Sequence, residues 1–420
     1  MFARTLETIQ SSGSRQAIYI RWILVTLAIC IAVKAVWFSR WGLWHTRTLV
    51  DFDAFHIIAQ RVWIGDVDQA YQFMKLIGMQ REASGGSDSF MPWTYPPQFS
   101  LLLSPLALFP VGAAYLLFTT LTAALFLVTL RFTAKQHYAL LLIVLFPAIQ
   151  ITLSCGQNGF LTASLIGLFC LYLEERPVLA GVALGCMIIK PHLAVAFAVY
   201  AILKRCWTVA IAAAAVVLGS SALCTVIFGV GIWSGLLQSV RDSSAFLQQG
   251  YYPLYRMISF YAALRTAGFS GSAAFVGQGF IAIMALGVVA ISLYRRMSVR
   301  MSLGLTALVS VCISPYAYDY DFLIIGIGLS LILPELQTIS RENERGAIYA
   351  ALMVVGAYGS LRGALLGDAS PHISYLDVVS IGGFVIVPLI ALILTILLRR
   401  QSSVPDTLSR TEELALTSET

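Results

Sequence analysis

The sequence predicts an all-α integral membrane protein that crosses the bilayer about twelve times. Three observations carry that expectation. Hydrophobic residues make up 58% of the chain and charged residues only 11%, with a mean hydropathy of +0.81. Water-soluble domains run at about 25% charged, so an ordinary soluble enzyme is excluded. The apolar residues come in runs of spanning or near-spanning length. In hydrocarbon such runs must be helices, because every backbone polar group has to find its partner within the segment. Basic residues gather at alternate ends of these runs, which sets an orientation. The formal net charge of +6 is too modest and too scattered for a nucleic-acid binder.

Taken in order, the first run, Arg21 to Phe38, is long enough to span and has no small-residue cleavage site, so it reads as an uncleaved anchor. Spans are expected near 22–39, 111–131, 138–154, 159–173, 178–190, 192–204, 207–229, 272–294, 301–314, 322–334, 346–361 and 377–398. Several fall short of the roughly 20 residues a full crossing needs. Either their ends extend into the connections or they are broken helices around a cavity. The apolar stretch Gln98 to Phe109, between Pro97 and Pro110, is too short to cross alone and reads as re-entrant or interfacial.

With the N-terminus inside, the short inner connections hold Arg131 and Lys135, Arg176, Lys204 and Arg205, then Arg295, Arg296 and Arg300, Arg341 and Arg345, and Arg399 and Arg400. The short outer ones hold Lys190, Arg362 and little else that is basic. That is the positive-inside pattern. Counting 98–109 as a crossing would reverse every later loop, and is rejected. The reading is a multi-pass protein of the bacterial cytoplasmic membrane with both termini cytoplasmic.

Residues 1–400 form one integral membrane domain on this reading, and 401–420 a polar, disordered cytoplasmic tail. Two outer segments are long, 40–97 and 229–271, and neither has the size of a separate domain. In the first, Phe55, Ile58, Ala59, Val62 and Trp63 recur at helical spacing with Asp53, Gln60 and Arg61 between them, and Gly65 ends the pattern. An amphipathic helix lying along the membrane surface is expected there. The stretch 83–89 reads as a flexible loop. The cysteines Cys30, Cys155, Cys170, Cys186, Cys206, Cys224 and Cys312 lie mostly in apolar runs, without a CxxC pair or metal-ligand spacing, and read as small core residues. No cofactor is called for, and a divalent metal is left open.

This topology puts five polar clusters on the outer face: Asp51-Phe52-Asp53, Trp93-Thr94-Tyr95-Pro96-Pro97, Gly156-Gln157-Asn158-Gly159, Lys190-Pro191-His192, and Ser314-Pro315-Tyr316 with Asp319-Tyr320-Asp321. Each has an ordinary explanation. Asp51 or Asp53 can cap the amphipathic helix. Tyr95 before two prolines suits an extended entry to a helix at the lipid interface. Gln157-Asn158 between glycines is a common turn composition. Lys190, which abruptly ends an apolar run, is a snorkelling cation or a placed charge, and Arg40, Arg47 and Arg61 can meet lipid headgroups. Together the clusters suit an anionic lipid-linked ligand. A carboxylate supplies a base, Lys190 and His192 at the membrane edge suit a phosphate, and Trp41, Trp44, Trp63, Trp93 and Tyr95 suit the apolar faces of sugars.

At these residues the sequence resembles glycosyltransferase family 87. The segment Asp51-Phe52 … Ala59 … Gly65 … Tyr71, then Tyr95-Pro96-Pro97 and the Leu-rich stretch to Pro110, is similar to the family's opening. Gly156-Gln157-Asn158, Arg176-Pro177 … Ala180-Gly181 … Gly185, Lys190-Pro191 and Ser314-Pro315-Tyr316-Ala317-Tyr318-Asp319 resemble its later stretches, in order over residues 45 to 335. The turn motif departs from the family's usual order, and the position after Lys-Pro varies in relatives, so His192 rests on this sequence alone.

The resemblance implies a GT-C-like bundle, a polyprenyl-phosphate sugar donor and a glycan or glycolipid acceptor. It also implies a general-base carboxylate in the first outer loop, with Asp51 favoured over Asp53. Lys190, His192, Tyr95, Gln157, Asn158 and Asp319 are the candidates for holding the donor. The implied reaction is one inverting displacement, and mannose is the sugar most associated with the family. A transporter or flippase of lipid-linked sugars is the competing reading. It predicts ionisable residues at the bilayer midplane and pseudo-symmetric halves, and neither is visible in the sequence.

Overall fold

Every apolar run named above is helical, as hydrocarbon burial of backbone amides requires. The computed structural model describes residues 2–11, 13–39, 49–86, 90–366 and 374–402. Expectations for Arg40, Trp41, Trp44 and Arg47, for the end of the 83–89 loop and for the tail beyond residue 402 lie outside those residues. Among the described residues no strand forms, and one isolated bridge joins Met257 to Tyr318.

The helices run α1 (Phe2–Ser11), α2 (Gly13–Ser39), α3 (Asp51–Ile64), α4 (Phe73–Ala83), α5 (Pro97–Leu103) and α6 (Val111–Ala134). They continue with α7 (Tyr138–Val144), α8 (Phe146–Cys155), α9 (Gly159–Tyr172), α10 (Pro177–Cys186), α11 (Pro191–Leu203), α12 (Trp207–Phe228) and α13 (Gly231–Gln249). The last six are α14 (Phe260–Thr266), α15 (Gly271–Tyr294), α16 (Val299–Ser310), α17 (Leu323–Ile339), α18 (Glu342–Leu366) and α19 (Gly382–Ser402).

Among the described residues, seven segments are long and apolar enough to cross a bilayer: Arg15–Ser39, Val111–Val144, Trp207–Phe228, Gly271–Tyr294, Asp319–Ile339, Glu342–Leu366 and Gly382–Arg399. These segments fall on seven of the about twelve runs expected. The runs expected at 138–154, 159–173, 178–190, 192–204 and 301–314 contain the apolar helices Phe146–Cys155, Gly159–Tyr172, Pro177–Ile189, Pro191–Leu203 and Val299–Ser310, of 10–17 residues each. Breakers set those lengths. Gly156 ends α8 at a φ of +65°, while Pro177 and Pro191 open α10 and α11 at the position where a missing N–H costs nothing.

One correction concerns α3. It ends at Gly65 in the left-handed conformation, as the sequence suggests, but it is not a helix lying freely on the surface. Phe52 through Ala59 are all buried, and the helix packs on α5 and the following 3₁₀ turn. His56 Nε2 meets the Phe109 carbonyl at 3.0 Å, and Trp63 Nε1 donates to the Ser104 carbonyl at 2.7 Å.

Small residues let helices approach closely without a hydrophobic driving force between them. Gly181 and Gly185 of α10 face α12, where a Cβ would come within 2.5 Å of the Val209 carbonyl and 2.7 Å of Val216. That explains this motif structurally. At the centre, α17 is almost wholly buried and carries Pro334, which cannot donate to the Ser330 carbonyl four residues back. Arg300 replaces that donor. Its Nη2 reaches Ser330 O at 3.0 Å and Thr133 O at 2.7 Å, and its Nε reaches Leu331 O at 2.8 Å, tying α6 and α16 to α17 one turn before Pro334.

The bundle has two chemically distinct ends. Lys135, Arg205 and Arg296, all at positive φ, follow the C-termini of α6, α11 and α15, where cations suit the partial negative charge of the helix end. The N-termini of α6, α9, α11 and α17 lie at the other end, with α3.

Candidate functional site

The Gly156–Gly159 turn organises that second end. A Cβ at Gly156 would stand 2.6 Å from Phe52 Cβ, and one at Gly159 would stand 2.2 Å from the Tyr320 carbonyl. The turn is therefore wedged between α3 and the 3₁₀ turn Asp319–Phe322. Between the two glycines, Gln157 Nε2 donates to Asp51 Oδ1 at 3.0 Å. Its Oε1 accepts from the Tyr95 hydroxyl at 3.1 Å and from the Asn158 N–H at 3.0 Å. One side chain thus joins three of the five clusters.

The Asp51-Phe52-Asp53 triplet divides its roles. Phe52 is fully buried and sits among the rings of Phe38, Tyr115 and Phe118, with centroids 5.3–5.9 Å away, which fixes the start of α3. Asp53 is 0% exposed, and its Oδ2 accepts the Val50 N–H at 2.9 Å, the back-bond of a capping box. Asp51 keeps 27% of its side chain exposed. Of the two carboxylates, it is the one that reaches the polar cluster.

Lys190 is not a snorkelling cation. Its Nζ donates to Asp321 Oδ1 at 2.7 Å, with side-chain exposures of 6% and 1%, and lies 4.5 Å from the centre of the Tyr320 ring. Asp321 Oδ2 accepts the Tyr318 N–H at 3.1 Å, so that carboxylate also caps its turn. Burial, then the Asp321 and Asp51 carboxylates, push the Tyr95 hydroxyl above its ordinary range, so it remains a donor.

Sequence reasoning missed Arg256. It holds Asp319 in a two-pronged bond, Nε to Oδ2 and Nη2 to Oδ1, each at 3.1 Å. Nη2 also lies 3.2 Å from Cys155 Sγ, and Nη1 lies 3.8 Å from Asp51 Oδ2. The Tyr318 and Tyr320 rings, stacked 5.2 Å apart, flank its guanidinium at 6.0 and 5.9 Å. Arg256 ends the 3₁₀ turn Leu254–Arg256, and the extended residues just after it are pinned by the Ile258 N–H donating to the Ala317 carbonyl at 2.8 Å. The available signal was the aromatic run Tyr251-Tyr252-Pro253-Leu254-Tyr255 ending on a cation.

Not every candidate joins the network. His192 is half-buried with its Nε2 unpartnered, and the Asn158 side-chain amide is buried without a hydrogen bond. Trp93, 1% exposed, is a core residue rather than a sugar platform, and Trp63, 63% exposed, lies at the far end of α3 from Asp51.

The assembled end holds carboxylates, two cations already bound to carboxylates, and the N-termini of α9 and α11. A model of glycosyltransferase family 87 matches residues 93–315, more than half of the chain. The chain belongs to glycosyltransferase family 87. No curated protein and no solved structure matches it. The protein is therefore a membrane glycosyltransferase, which needs a sugar donor and an acceptor, and the transporter reading is set aside. The matched stretch of this family 87 member includes Tyr95, Gln157, Asn158, Lys190, His192 and Arg256. Asp51, Asp53, Asp319 and Asp321 lie outside it and stand on geometry.

Proposed function

We propose that this enzyme transfers mannose or another hexose from a polyprenyl-phosphate donor to a glycan or glycolipid acceptor, at the outer face of the cytoplasmic membrane, by one inverting displacement. The observation that carries the reading is the placement of the Asp51 carboxylate 3.8 Å from Arg256, itself locked on Asp319, at one end of the bundle. Asp51 takes the proton of the acceptor hydroxyl as its oxygen attacks the anomeric carbon. The bond from that carbon to the phosphate oxygen breaks, and the electron pair leaves on the lipid phosphate. Gln157 fixes the carboxylate through one oxygen, leaving the other for the proton.

The departing phosphate is met by donors that are already positioned. Arg256 has N–H groups on Nη1 that its Asp319 bond does not use, and the Lys190 ammonium keeps two of its three donors beyond Asp321. The first-turn N–H groups of α9 and α11 add positive potential. Because carboxylates hold both cations, little reorganisation is needed when charge develops. His192, two residues beyond Lys190, is a further donor for the phosphate.

The purified enzyme, given synthetic polyprenyl-phosphate hexoses and a lipid-linked acceptor, is expected to transfer one of them with inversion, read by NMR of the product linkage. Transfer from nucleotide sugars alone would overturn the donor assignment. The orientation has its own test in a background without native cysteines. Met74→Cys, at a position 76% exposed on α4, is expected to react with an impermeant maleimide on intact cells. Lys204→Cys, exposed beyond α11, is expected to react only after permeabilisation. The reverse pattern sinks the outer-face placement.

A further inference from the structure

A cavity of about 490 Å³ opens at the opposite end of the bundle, between the start of α2 and the junction of α6 with α7. Along α6, the 16 residues from Tyr115, which packs on Phe52, to Arg131 separate it from the Asp51 cluster by about 24 Å, at 1.5 Å rise per residue. Its polar wall carries Arg131 and Lys135, and its apolar wall Ala17, Ile20 and Phe132. Gln16 reaches from α2 to the Gln136 carbonyl at 3.0 Å and bridges the two sides.

Two features distinguish this cavity from an ordinary helix end. First, neither cation is neutralised. Arg131 leans over the Tyr138 ring, 5.8 Å from its centre, and among the described residues neither it nor Lys135 has an acidic partner. By contrast, Arg345 at the same end is bound by Glu7 at 2.7 Å, and Arg399 by Glu344 at 2.6 Å. Second, the flank of the cavity is apolar and open. Phe132 is 64% exposed, and Ile18 and Trp22 of α2 are 54% and 65% exposed. A free anion needs the cations alone. An anion attached to acyl chains uses both walls.

We propose that this cavity binds the phosphate of an anionic phospholipid, with Arg131 and Lys135 on the phosphate and the acyl chains against Ile20, Phe132 and Trp22. With the proposed orientation, the lipid belongs to the inner leaflet. The site touches none of the residues placed in the transfer reaction and stands apart from that reading. The shared chemistry is a phosphate between two cations, so a soluble phosphate is the other source to separate.

The test is native mass spectrometry of the purified full chain in neutral detergent, titrated with phosphatidylglycerol, phosphatidylcholine or inorganic phosphate. The wild type is expected to retain one phosphatidylglycerol well below the concentration at which phosphatidylcholine binds. Arg131→Gln/Lys135→Gln is expected to weaken that binding by roughly tenfold or more, since each cation near a lipid surface contributes appreciably. Both side chains are exposed, so an unchanged unfolding temperature in detergent alone is the check on folding. The matched control Arg205→Gln/Arg296→Gln removes two cations from the same face and is expected to keep the affinity. Equal loss in the control, equal binding of phosphatidylcholine, or displacement of the lipid by millimolar inorganic phosphate would each overturn the proposal.

Discussion

Replacing Asp51 with asparagine is expected to lower sugar transfer by roughly 10²–10⁴-fold while leaving the protein folded. Asparagine keeps the size of the side chain and can still bond Gln157 after an amide flip, so the 3.0 Å link between α3 and the turn survives. What disappears is a group that can accept the hydroxyl proton. The companion variant Asp53→Asn separates chemistry from capping. The Asp53 carboxylate accepts the Val50 N–H, asparagine caps a helix nearly as well as aspartate, and the variant is expected to transfer sugar at close to the normal rate. Single-turnover rates and unfolding temperatures, measured on both variants, read the two roles independently. A dead Asp53→Asn beside a normal Asp51→Asn moves the base to the buried residue. Normal rates in both remove the base from this loop altogether.

How much of this was legible in the sequence depended on the range of the interaction. Helices are local, and each expected apolar run is helical because hydropathy and backbone satisfaction act within a segment. The number of crossings was less legible. The ends of the short runs were themselves legible, because Gly156, Pro177 and Pro191 stand at the expected bounds, but hydropathy alone does not say whether a helix that short crosses. The side of the bundle was read from charge, and Asp51, Tyr95 and Gln157 do meet at one end.

The pairings within that end could not be read. Asp51 to Gln157 spans 106 positions, Lys190 to Asp321 spans 131, and Arg256 to Asp319 spans 63. Spacing rules reach three or four residues along a helix, so they see each cluster and not its partner. Trp93 shows the same limit: an aromatic beside a polar loop looks like a platform until Phe55, Tyr95 and Phe99 are found packed around it.

That blindness matters most at Lys190, where sequence and geometry lead to different experiments. Read alone, a lysine at the edge of an apolar run can be removed without harm to the fold. The structure instead buries its ammonium 2.7 Å from an almost inaccessible carboxylate. Removing one partner of such a pair strands the other charge, at a cost of about 3–5 kcal/mol. Lys190→Met is therefore expected to unfold at a much lower denaturant concentration than the wild type, and its lost activity alone says nothing about phosphate. The double variant Lys190→Met/Asp321→Asn removes both charges, keeps an acceptor for the Tyr318 N–H, and is expected to recover most of the stability. If Lys190 meets the departing phosphate, that refolded double variant still transfers sugar slowly. If stability and transfer return together, Lys190 only holds Asp321 in place, and Arg256 is left as the cation that faces the leaving group.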